Sequence, residues 1–140
     1  MTARIDFDVD HARRRVVRTV HGAPDGDQIG DEVLRFLDAN PATIAYDTVT
    51  DWRQYTGKFE WRDLSSFAKA YAGRYARYLE SEYAYRGPIR GAFVGHNRMA
   101  SALVDAIQHL YANRAMRAFT SMEAAHAWLD APDAGSTEAQ

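Results

Sequence analysis

The chain has 140 residues and 15.8 kDa, with 17 Lys and Arg against 19 Asp and Glu for a formal charge of −2. That is one domain's length, neither basic enough for a general nucleic-acid binder nor acidic enough for a solvating tail. Hydrophobic residues make up 46% and cysteine is absent, so the chain is globular and has no disulfide scaffold, zinc ribbon, iron–sulfur cluster or thiol nucleophile.

No apolar run reaches the roughly 18 residues of a spanning helix, and the first ten residues carry charges where a signal peptide needs an apolar stretch. A cytoplasmic protein without a transmembrane segment is expected. Residues 4–9 alternate Ile5, Phe7 and Val9 with Asp6 and Asp8, the period of a half-buried strand. A short turn leads to β-branched residues at 14–20, which predicts an antiparallel hairpin closed off by Gly22 and Pro24. Asp25 and Gln28 have capping-box spacing, Ile29, Val33, Phe36 and Leu37 share a helical face, and Asn40-Pro41 stops the helix.

Residues 43–49 are a third strand by composition, and 50–60 form an aromatic loop. The longest helix is predicted at 62–83, with Leu64, Phe67, Tyr71, Tyr75 and Tyr78 on one stripe. Gly87-Pro88 breaks the chain before a strand at 89–94. Asn97 is placed to cap a helix over 98–112, and 115–119 is a fifth strand. Thr120 and Glu123 suggest a second capping box, followed by a helix ending at Trp128-Leu129. The reading is a single domain over 1–130 and a flexible tail over 131–140. After the hairpin, strands and helices alternate, so the predicted fold is α/β: a mixed, mostly parallel five-stranded sheet flanked by four helices.

Three stretches resemble the SpoIIAA-like group of STAS/Sec14-type α/β proteins of bacteria. They are residues 7–17 leading to Gly22, the strand running into Asp51-Trp52-Arg53, and the closing 118–129. The resemblance spans about residues 4–129 as a pattern of element order and apolar positions. It implies the fold, and two activities seen among such proteins. One is regulation through a phosphorylated serine, for which Ser65 and Ser66 are the comparable positions here. The other is lipid binding in an apolar groove.

In an open α/β sheet, ligands sit at the carboxyl ends of the parallel strands. Two loops should converge there, one carrying Asp51 and Arg53, the other Gly95, His96, Asn97 and Arg98. Together they suit a small anion or a partner's carboxylate, while a local Asp51–Arg53 ion pair and a helix cap at Asn97 explain the same residues structurally. His96 is the histidine placed to act as acid or base, but no partner is assigned to it by sequence, and no catalytic residue is named. The five histidines show no metal-ligand spacing, and neither metal nor cofactor is expected.

Five of the eight tyrosines lie between Tyr71 and Tyr85, and seven Lys/Arg face three acids between Arg62 and Arg98. A helix packed on the sheet accounts for the stripe. So does a half-wet surface, since each buried phenol needs a hydrogen-bond partner that Leu would not. Phe67, Tyr71, Tyr75 and Tyr78 therefore join the candidate binding residues. The leading expectation is a non-enzymatic binding or regulatory module, dimeric, meeting a protein partner through this helix. The alternative is a carrier of a small lipid-like ligand between helix and sheet, and an enzyme is third.

Overall fold

In the computed structural model, residues 3–58, 61–79, 89–96, 98–108 and 114–131 are described. The alternation of the first segment gives the sheet its two faces. Strands β1 (Arg4–Asp10) and β2 (Arg15–His21) pair antiparallel, with Ile5 buried while Asp6, Asp8 and Asp10 are exposed on the other face. Helix α1 (Gly26–Ala39) starts as its capping residues require: the Asp25 Oδ1 accepts from the Gln28 amide at 2.8 Å. It stops at Asn40, whose Nδ2 donates to the Phe36 carbonyl at 3.0 Å.

The third strand is where sequence and structure part. The chain makes a 3-10 turn at Pro41–Ala45, and β3 occupies Asp47–Asp51 rather than 43–49. Proline fits the first helical position because its missing N–H has no acceptor there. The Thr43 amide and hydroxyl both donate to the Asn40 carbonyl, which closes the turn. Ile44 is fully buried, so its apolar, β-branched character reports core and not strand. Helix α2 (Trp61–Leu79), strand β4 (Ile89–Val94), helix α3 (Met99–Ile107), strand β5 (Arg114–Phe119) and helix α4 (Met122–Asp130) follow.

The sheet has the order β1-β2-β3-β4-β5, antiparallel at β1–β2 and parallel thereafter. It is the mixed, mostly parallel five-stranded sheet with four helices that the sequence implies. Successive parallel neighbours are joined by crossovers, and crossovers of one hand put their helices on one face. There Ile29 and Val33 of α1 and Leu103 of α3 pack with Ile5, Val20 and Trp52, and Tyr71 and Tyr78 of α2 pack with Leu37 and Ile44. Helix α4 crosses nothing and takes the opposite face, with Ala125 and Leu129 on Val49, Ala92 and Val94. Its cap is Ser121, one residue past the expected Thr120, with Oγ accepting from the Ala124 amide at 3.1 Å. The expected tail lies outside the described residues from 132 onward. Among the described residues no helix is long and apolar enough to cross a membrane.

Candidate functional site

At the carboxyl end of β3 the loop is fastened on both sides. The Trp52 amide donates to the Val94 carbonyl of β4 at 2.8 Å, and the Tyr55 amide closes a turn onto the Trp52 carbonyl at 3.1 Å. Past β2, the Gly22 amide donates to the Gln54 carbonyl at 3.1 Å and its own carbonyl accepts from Thr56 at 2.8 Å. Gly22 has φ 73°, the left-handed region where a side chain costs roughly 1–2 kcal/mol. Trp52 is buried and meets Tyr55 edge-on at 5.1 Å, so the loop is also anchored into the core.

On this loop Asp51 and Arg53 form a tight pair. Arg53 Nε donates to Oδ1 at 3.0 Å and Nη2 to Oδ2 at 2.9 Å, and the Arg53 amide donates to Oδ1 at 3.0 Å. Burial pushes the Asp51 carboxyl up, but the bonds and charge of Arg53, with the charge of His96, carry it below the usual carboxylate range. The same pairing raises Arg53. The Asp51 side chain is 6% exposed and that of Arg53 is 33% exposed, so the guanidinium reaches from a buried anchor to solvent.

The β4 loop lies alongside. Asp51 pairs with Val94 in register, which brings Arg53 and His96 two residues beyond the same rung. The Gly95 amide donates to the Phe119 carbonyl at 3.0 Å. A Cβ on Gly95 would sit 3.2 Å from that of Ala100, so this glycine makes room for α3. His96 and Arg98 are exposed, and Arg98 occupies the N-cap position of α3 without a side-chain capping bond. Asn97, the expected cap, lies outside the described residues.

The tyrosine helix faces inward. Tyr71 and Tyr78 are 5% and 6% exposed and pack on α1 and the 3-10 turn. The Tyr78 hydroxyl donates to Asp38 Oδ1 and accepts from Arg77 Nη2 at 2.8 Å, while Arg74 Nε and Nη2 each reach Asp38 at 3.1 Å. Hydrogen bonds from Arg74 and then Tyr78 hold Asp38 below the usual carboxylate range, and burial, then Asp38, raise the phenol. A partner surface on the stripe thus gives way at these two positions to docking of α2 on α1. The Phe67 and Tyr75 side chains lie outside the described residues. Between Tyr71, α1 and the sheet, a recess lined by Val16, Arg18, Val33 and Thr48 measures about 10 Å³, space for about one water. Ser65 and Ser66 fall in the second turn of α2, where the backbone amides are already inside the helix.

Sequence reasoning missed a second polar cluster, behind α4. Arg15, 4% exposed, donates from Nη1 to His126 Nδ1 at 2.9 Å and from Nη2 to Asp130 at 2.7 Å. Arg90, 7% exposed, donates from Nη1 to the Trp128 and Ala131 carbonyls at 2.7 and 2.9 Å. The available signal was an arginine within the first two residues of each of two apolar strands. Among the described residues no group of three or more His, Asp or Glu could hold a metal ion.

An antiparallel hairpin leading a sequentially ordered parallel sheet, with one helix alone on the far face, defines an α/β domain of SpoIIAA-like fold. The chain is similar in structure to an uncharacterised protein of the DUF3478 family with a SpoIIAA-like fold, from Shewanella loihica PV-4. The TM-score is 0.57 at 12% identity, over 90% of this chain and 92% of that one. The likeness is one of fold. No protein-family model and no curated protein sequence matches the chain.

Proposed function

We propose that the chain is a non-enzymatic binding or regulatory module that meets its partner at the carboxyl edge of the parallel strands, on Arg53, His96 and Arg98. The observation that carries this reading is the engagement of Asp51: both its oxygens are taken by Arg53. Acid–base work by His96 would need a carboxylate such as Asp51 or Asp47. Asp47 stands at the opposite end of β3, accepting from the Arg90 amide. What remains at the edge is a rigid loop with outward donors, a recognition surface.

The burial of Tyr71 and Tyr78 moves the partner surface from the stripe to this edge. Self-association into a dimer then falls to the outer face of α2, where Lys69, Ala72, Gly73 and Ala76 are exposed. The test is affinity capture from the native host with wild type, Arg53→Ala/Arg98→Ala and Tyr78→Phe. The reading expects the double variant alone to lose the partner. Equal retention by all three proteins contradicts it.

A further inference from the structure

Arg53 is used from one side only. Asp51 takes Nε and one hydrogen of Nη2, a side-on bidentate grip. The terminal fork, Nη1 and the remaining hydrogen of Nη2, has no partner among the described residues, and the side chain is one-third exposed. An arginine carries five N–H donors in a fixed plane, so anchoring one edge aims the other. The loop beneath it is fastened to Gly22 and Val94, which keeps that aim. The exposed His96 and Arg98 stand on the adjoining loop, and Asp51 offsets only one of the two arginine charges. A chain of net charge −2 thus carries a locally positive edge with two parallel donors ready.

We infer that the terminal fork of Arg53, with His96 and Arg98 beside it, is a binding site for an oxyanion that offers two oxygens side by side, a carboxylate or a phosphate. This rests on the proposed recognition edge and adds the chemical class of what it grips. Asp51 is the positioning residue: it touches no ligand and orients the one that does.

The experiment is an amide NMR titration of the full chain with sodium acetate and, separately, inorganic phosphate, at ionic strength held constant with sodium chloride. Saturable shifts are expected at residues 51–58 and 95–98. The arm that binds tighter identifies a carboxylate-bearing or a phosphate-bearing ligand, and either result supports the site. Arg53→Lys keeps the charge and loses the fork, and should weaken binding by about tenfold. Arg98→Ala, at an exposed position without a capping bond, keeps the test valid if Arg53→Lys disturbs the loop, and should weaken binding too. No saturable shift with either anion, or unchanged titrations in both variants, overturns the assignment. If the anions fail while the Arg53/Arg98 variant still loses its captured partner, the ligand class falls and the recognition edge stands.

Discussion

Arg15 and His126 meet at 2.9 Å between β2 and α4, and their contact fixes the imidazole proton. A guanidinium only donates, so Nδ1 of His126 is the acceptor and its proton sits on Nε2. Protonating Nδ1 would set two cations against each other, one the buried Arg15 and the other a half-buried imidazole. Burial first, and then the charge of Arg15, lower the His126 pKa, with Asp130 acting the other way.

The sign of the pH effect follows. A histidine depressed in the folded state gives its full stability above its unfolded pKa, near 6.5, and loses it as pH falls from there through the folded value. Urea denaturation should therefore show a lower midpoint at pH 5.5 than at pH 7.5. His126→Gln, which keeps an acceptor and cannot titrate, should flatten that difference. An unchanged slope in the variant would place the pH dependence elsewhere.

Gly22 holds the loop after β3 through two backbone bonds at φ 73°. Gly22→Ala should cost roughly 1–2 kcal/mol in urea denaturation, the usual penalty of a side chain in the left-handed region. Amide exchange should rise selectively at position 22 and at Thr56, the two amides in these bonds. Uniform exchange across the sheet would mean that the loop is not fastened there.

Tyr78→Phe removes a buried hydroxyl that joins Asp38 and Arg77 across the α1–α2 contact. A loss of about 1–2 kcal/mol is expected from thermal or urea unfolding. Because Tyr78 lies away from the carboxyl edge, the variant's anion titration should match wild type. A stable variant with altered anion binding would return the tyrosine stripe to the site.

The elements that could be read from sequence are those whose signals are local. Strand β4 falls at 89–94 as composition predicts, and the Asp25 cap is present because acceptor and amide lie three residues apart. The 3-10 turn was hidden because Ile44 satisfies a strand's composition while serving the core. Strand order alone places Asp51, Arg53 and His96 at the carboxyl ends of β3 and β4, where the structure has them. The state of Asp51 was legible only as one of two alternatives, a local ion pair with Arg53 or a part in a site for a small anion or a partner's carboxylate. The tyrosines misled for a distance reason: the acceptor for Tyr78 is Asp38, 40 residues earlier. The buried Arg15 and Arg90 needed α4 placed on the far face before their partners existed.

Native mass spectrometry of the purified protein, repeated under denaturing conditions, tests most directly whether this is a module acting at an edge or a carrier closed around a ligand. With Tyr71 and Tyr78 packed on α1, the measured mass should equal a whole number of bare chains. A lipid-like passenger that disappears on denaturation would contradict the account and reopen the space between α2 and the sheet.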